Sequence, residues 1–187
     1  MVNLKEQVNA LETVTYEAKG FDVINIVVDE DSCDGIIFKK SKVLVLPYTV
    51  NENRQINKIG LLSEYNMLRD DNYSITVISG TQEKIDSNIF DTVKRELKEE
   101  SGYFVDDVNL WTYLGVVYPH KKLKSSYQCY CVDITDIQQK EKIVDGSVSE
   151  DLSKFGLCDM SAVVSVDDGL LLSLFLKFYW NKFNGLF

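Results

Sequence analysis

The chain has 187 residues, is 45% hydrophobic and 26% charged, and carries a formal net charge of -9. Such a composition buries a core and excludes a disordered chain. Its acidity argues against direct binding to nucleic acid, while leaving open a phosphate compound approached through a divalent cation.

In residues 3–12, Leu4, Val8 and Leu11 fall at helical spacing and predict a short helix. The N-terminus lacks the apolar run of a signal peptide. The longest apolar cluster, GLLLSLFLKFYW, is too short and interrupted to span a bilayer. A soluble, reducing, cytoplasmic protein with no membrane partner is therefore expected. FDVINIVVDE and DGIIFKK predict two strands, and KVLVLPYTV and NKIGLLSEY two more, the latter pair joined as a hairpin by the longish loop NENRQI. Pro47 inside a strand predicts an edge or a bulge. LRDDNYS reads as loop and ITVISG as a strand stopped by Gly80.

Beyond Gly80 the period changes. Ile89, Phe90, Val93 and Leu97 predict a helix from Asn88 to Glu100, capped by Asp86 or Ser87 and ended by left-handed Gly102. VNLWTYLGVVYP and SSYQCYCVDIT return to strand, DIQQKEKIVDGSVSED is polar loop, and DDGLLLSLFLKFYWNKF is a closing helix. The sum is an α+β fold with a mixed sheet.

The four cysteines, Cys33, Cys129, Cys131 and Cys158, form no CxxC pair. Cys129 and Cys131 share one strand face and read as small apolar residues. His120, the single histidine, argues against the usual zinc sites, and no nucleophile elbow is present. Lysine outnumbers arginine 17 to 3, the bias of an AT-rich genome such as a virus or a low-GC bacterium has.

The segment DTVKRELKEESGY concentrates the chemistry. Glu96 and Glu100 are one helical turn apart and Glu99 lies three beyond Glu96, so the three carboxylates converge on one face. Arg95 pairs with Glu99 only in part. An all-oxygen cluster suits a hard divalent cation, Mg²⁺ or Mn²⁺. Taken alone, such a run is more often an exposed salt-bridged helix face; its place between the Gly80 turn and the next strand favours the metal.

RELKEESGY resembles the second half of the Nudix hydrolase signature, Arg-Glu-hydrophobic-x-Glu-Glu-x-Gly-hydrophobic. All seven specified positions agree: Arg95, Glu96, Leu97, Glu99, Glu100, Gly102 and Tyr103. KVLVLPYTV and KIGLLSEYN look like the hairpin before the signature in the ADP-ribose pyrophosphatase branch. The first half departs: Ser87 stands at the glutamate position, Thr81 at the first glycine position with Gly80 one residue early, and Asp86 at the glycine before the glutamate.

The resemblance implies an α/β/α sandwich with a mixed sheet over residues 41–187. A helix and short β extension over residues 1–40 would precede it, and in the family such an extension often supports dimerisation. It implies divalent-metal-dependent hydrolysis of a pyrophosphate bond in a nucleoside diphosphate derivative such as ADP-ribose. Glu96, Glu99, Glu100 and the carbonyl of Gly80 would hold the metal, Glu99 would assist or act as base, and Arg95 would brace the helix. Glu83 or Asp86 would replace the missing glutamate that pairs with this arginine. A late-loop glutamate often activates the water in this branch; Glu150 is the first choice, with Asp151 and Glu141 behind it. Tyr48, Tyr65 and Tyr118 are candidates to stack on an adenine ring, and His120 with Lys121, Lys122 and Lys124 to face phosphate. The alternative is a catalytically weak or inactive Nudix-fold module in a larger assembly, in host cytoplasm or virion if the source is viral.

Overall fold

The computed structural model describes residues 10–17, 21–28, 31–66, 72–120, 125–141 and 153–183. Strands β1 (Ala10–Glu17), β2 (Phe21–Val28) and β3 (Asp31–Phe38) form an antiparallel sheet of their own. Ala10 to Glu12 belong to β1, so the helix predicted over 3–12 does not extend through them. The run Thr13 to Tyr16 is β-branched and aromatic and carries them into a ladder that begins at Ala10 opposite Val28. The rest of that predicted helix lies outside the described residues.

The main sheet has seven strands: β4 (Lys42–Val50), β5 (Ile56–Tyr65), β6 (Tyr73–Thr76), β7 (Ile78–Thr81), β8 (Trp111–Val117), β9 (Tyr127–Asp133) and β10 (Lys154–Cys158). Its order is β10-β5-β4-β9-β8, with β6 paired to β5 and β7 to β4. β4 and β9 run parallel and the other pairs antiparallel, so the sheet is mixed as expected. β4 is central and covered on both faces, which is why its apolar residues do not alternate with polar ones. Val43 and Val45 face helix α1 (Ile89–Ser101), while Leu44, Leu46 and Tyr48 face helix α2 (Gly169–Phe183). The result is the expected α/β/α sandwich.

Pro47 marks neither an edge nor a bulge. β4 pairs with β7 through Lys42 to Val45 and with β5 from Tyr48 onward, and Pro47 falls between these antiparallel ladders. Its missing N–H is tolerated there. The strand's irregularity comes later, between Thr49 and Val50. The predicted strand ITVISG divides at Val77, because β6 and β7 pair with different neighbours and β6 starts back at Tyr73. β8 begins at Trp111, after a 3-10 turn over Val108–Leu110. β10 was not predicted. It is an edge strand with half-exposed side chains and a central glycine, so it carries no alternation to detect.

Asn88 caps α1, its side chain accepting from the N–H groups of Phe90 and Asp91 at 2.9 and 3.1 Å. The predicted cap, Asp86 or Ser87, yields because the Asp86 carboxylate is engaged elsewhere. Gly102 ends the helix at φ 75, as predicted, its N–H donating to the Lys98 carbonyl. Asp168 opens α2 by accepting from the N–H of Leu171 at 2.8 Å, and its other oxygen accepts from the Thr76 hydroxyl at 2.9 Å. Among the described residues, no helix is long and apolar enough to cross a membrane.

Candidate active site

The apolar stripe of α1 orients its charges. Val93 and Leu97 are fully buried against the β4 face, and the Phe90 ring lies edge-on to Trp111 at 5.3 Å. That anchoring brings Glu96 against β7 and Glu100 to the chain entering β10. A side chain at Gly80 would place its Cβ 1.8 Å from Glu96 Cδ, so glycine there makes room for the carboxylate. Glu100 accepts from the Ser153 hydroxyl at 3.2 Å.

Arg95 sits at the centre. Its Nη1 lies 2.8 Å from Glu99 Oε2 and 2.9 Å from Glu96 Oε1. Its Nη2 donates to Asp86 Oδ2 at 3.1 Å and to the Thr81 carbonyl at 3.0 Å, and its Nε to Asp86 Oδ1 at 3.2 Å. Asp86 Oδ2 also accepts from the Glu83 N–H at 2.8 Å and the Thr92 hydroxyl at 3.0 Å. Of the two substitutes expected for the missing glutamate, Asp86 is the one whose carboxylate meets Arg95.

The electrostatics follow from burial and pairing. Burial pushes Asp86 up, but the hydrogen bonds from Arg95, the Glu83 N–H and Thr92 outweigh it and hold the carboxyl below its ordinary value. Burial likewise works against the Arg95 charge, and its carboxylate partners overcome that and raise its pKa. Glu96 is pushed up to about 7, first by burial and then by the charges of Glu99 and Glu100, against the pull of Arg95. The residue is 8% exposed, so its charge needs a cation nearby.

An all-oxygen donor set of this kind fits Mg²⁺ or Mn²⁺ in chemistry. In the observed arrangement Glu96 and Glu99 turn toward Arg95, and Glu100 is bonded by Ser153. Accordingly, among the described residues no three His, Cys, Asp or Glu side chains stand grouped so as to hold a metal ion.

The remaining predicted positions separate. Glu150 and Lys121 lie outside the described residues. The described chain on either side of residues 142–152 is attached to the end of α1. Gln139 Nε2 donates to the Ser101 carbonyl at 2.8 Å and the Lys140 N–H to the Gly102 carbonyl at 3.0 Å, while Ser153 meets Glu100. His120 is exposed after β8, at the sheet end shared with Lys42 and Thr81. Tyr65 is half-exposed and packs edge-on to Tyr73 at 5.9 Å. Tyr48 is buried in the α2 layer, opposite the carboxylates, where its ring meets Phe178 at 5.1 Å and its hydroxyl accepts from Lys182 at 2.8 Å. Sequence reasoning missed Thr92 and Ser153. Thr92 was detectable as a hydroxyl on the turn before Arg95; Ser153 carries no local signal.

No protein-family model matches the chain, and no curated protein matches it in sequence. Solved structures do. An ADP compounds hydrolase aligns with TM-score 0.67 over 96% of this chain and 96% of its own, at 12% identity. A Nudix hydrolase structure from Listeria monocytogenes aligns with TM-score 0.54 over 78% of this chain and 95% of its own, at 18% identity. The Nudix domain of Shewanella oneidensis NrtR, solved in complex with ADP ribose, aligns with TM-score 0.57 over 78% of this chain and 90% of its own, at 16% identity. The fold is that of the Nudix hydrolases.

Proposed function

We propose that this protein hydrolyses the pyrophosphate bond of a nucleoside diphosphate derivative such as ADP-ribose, in a reaction that depends on Mg²⁺ or Mn²⁺. The observation that carries this reading is Glu96 and Glu99 drawn together by Arg95 on α1, with Glu100 one turn from Glu96 and Gly80 clearing space for Glu96. The neighbours agree with it in kind: one is an ADP compounds hydrolase and another is a Nudix domain bound to ADP ribose. Glu96, Glu99, Glu100 and the Gly80 carbonyl would hold the cation. When bound, it neutralises phosphate charge and stabilises the leaving oxygen. Arg95 keeps Glu96 and Glu99 in place beside the substrate. Glu150, or Glu99 in its stead, takes the proton of the attacking water. His120 and Lys121 are the basic residues proposed to meet the phosphates.

The test is turnover of a panel of nucleoside diphosphate derivatives with Mg²⁺ or Mn²⁺, beside the Glu99→Gln Glu100→Gln variant. Wild type should exceed the variant by at least about 10³-fold, the scale of several kcal/mol of lost charge stabilisation. The reading is lost if no substrate turns over above the variant and calorimetry detects no divalent binding. A second reading, a Nudix-fold binding module without turnover, draws on Arg95 Nη1 already lying between Glu96 and Glu99. Divalent binding without hydrolysis of any panel member would favour it.

A further inference from the structure

A cavity of about 680 Å³, a usual size for a small-molecule site, opens at the far end of the sheet from the α1 carboxylates. Gly80, beside Glu96, pairs with Val43 near the start of β4, whereas the cavity is lined by Val50 at its end, roughly 20 Å away at the rise of a strand. β4 and β9 are the parallel pair, and their carboxyl ends part here. β4 turns into the hairpin with β5, while the chain leaving β9 crosses toward α1, where Ile137 packs and Gln139 bonds the Ser101 carbonyl. In open sheets with parallel strands, ligands bind in the crevice outside such ends. We propose that this cavity is a second binding site, for a nucleoside monophosphate, with the phosphate at Arg54, the sugar hydroxyls at Asp136 and the base on Phe183.

The lining divides by chemistry. Ile56, Leu110, Ile137 and Phe183 make an apolar side, and the Phe183 ring is backed by Tyr179, stacked at 4.5 Å. Such a wall takes the face of a planar ring. Arg54 and Asp136 supply charge, and neither has an ion-pair partner among the described residues. Arg54 stands on a braced turn. The Asn51 side chain accepts from the N–H groups of Asn53 and Gln55, both at 3.0 Å, and the Asn51 carbonyl from the Arg54 N–H at 2.8 Å. The bracing holds Arg54 at φ 60, which residues other than glycine adopt at a cost, and presents its guanidinium from a backbone that needs no further ordering. A guanidinium takes two phosphate oxygens at once. The other cation of the cavity, Lys182, already donates to the Tyr48 hydroxyl at 2.8 Å. Of the two carboxylates, Asp133 accepts from the N–H and hydroxyl of Thr135 at 3.0 and 2.6 Å, whereas Asp136 is exposed and can accept from sugar hydroxyls. A bare anion would be repelled by these carboxylates. An anion that also brings hydroxyls and a ring matches each part of the lining.

Calorimetry with AMP in the presence of EDTA separates the two ends of the sheet, because no divalent cation can then join a phosphate to α1. AMP should bind wild type and the Glu99→Gln Glu100→Gln variant with equal affinity, and should bind wild type more tightly than adenosine or ribose 5-phosphate does. Arg54→Asn suits the left-handed backbone and removes the guanidinium. It should weaken AMP by about tenfold or more, the effect of losing a charge-assisted bond to phosphate, and leave adenosine unchanged. Phe183→Leu keeps an apolar side chain and should weaken AMP and adenosine alike by roughly 2–10-fold, with ribose 5-phosphate unchanged. A wild type that binds no AMP overturns the inference. So does AMP affinity that falls in the carboxylate variant and holds in Arg54→Asn, or ribose 5-phosphate binding as tightly as AMP. If AMP binds as stated while no pyrophosphate bond is cleaved, the hydrolase reading falls and this site stands; cleavage without AMP binding under EDTA loses the site alone.

Discussion

The two layers flanking β4 are packed by the same strand and differ in everything beyond the packing. Toward α2, Leu44, Leu46 and Tyr48 meet Leu171, Leu174 and Phe178, an apolar contact with a polar tie from Lys182 to the Tyr48 hydroxyl. Toward α1, Val43 and Val45 meet Val93 and Leu97, and beside that apolar stripe the same helix buries Glu96 and Glu100 and carries the Arg95–Glu99 pair. Magnitudes explain how this holds. Like charges one turn apart repel, more so where burial adds to the cost as at Glu96, and Arg95 offsets part of it; burying a valine or leucine contributes about 1.5–3 kcal/mol. Two apolar anchors therefore keep the helix in place with its carboxylates held beside them. A layer can be built for packing alone, or its packing can fix the positions of charges.

Substitutions in pairs can break that contrast. The largest difference should come from Glu99→Gln Glu100→Gln set against Tyr48→Phe. Turnover should fall by at least about 10³-fold in the first and stay within about threefold of wild type in the second, measured as kcat/KM on the best panel substrate. A large loss with Tyr48→Phe would tie the α2 layer to the chemistry. Next come Leu97→Ala and Leu174→Ala, both fully buried. Each should lower stability in urea by about 2–5 kcal/mol. At a temperature where both remain folded, only Leu97→Ala should weaken Mn²⁺ binding; equal losses from both would erase the distinction between the layers. A smaller effect concerns acid. The folded value of Asp86 lies below the unfolded one, so its contribution to stability is complete above the ordinary carboxylate range and disappears as pH falls through the folded value. The stability gap between wild type and Asp86→Asn should thus close on acidification, and a gap independent of pH would show that the Asp86 charge is not what Arg95 needs. Smallest of all, burial pushes the Cys129 and Cys131 thiols up to about 11, so neither should be alkylated in the native protein at pH 8 and both should react after denaturation.

Strength of local pattern decided which features could be anticipated. α1 combines helical spacing, a glycine stop and a charge cluster, and both its position and its site face were visible in the residues. β4 was clear because a central strand is nearly continuously apolar, and β5 because of its apolar run from Ile59 to Leu62. β10 was invisible because an edge strand with half-exposed residues has neither a continuous run nor an alternation. The cap at Asn88 was misplaced by one or two residues, since any short polar side chain there could cap and only the third dimension shows Asp86 committed to Arg95. Ser153 reaches Glu100 across 53 positions of chain, which no local pattern encodes.

Gly102 couples two events in time. A Cβ at this position would meet the Lys140 carbonyl at 2.2 Å, and the φ of 75 that ends α1 is one that other residues adopt only at a cost. The Gly102 carbonyl in turn receives the Lys140 N–H. The chain at residue 140 therefore has no docking place until α1 has stopped at residue 102 and turned left-handed. Contacts so distant in sequence form late in folding, because closing the intervening loop comes before any return from the contact. The segment at residues 139–140 thus attaches only to a helix already ended in register, and a chain whose helix overruns has no seat for it.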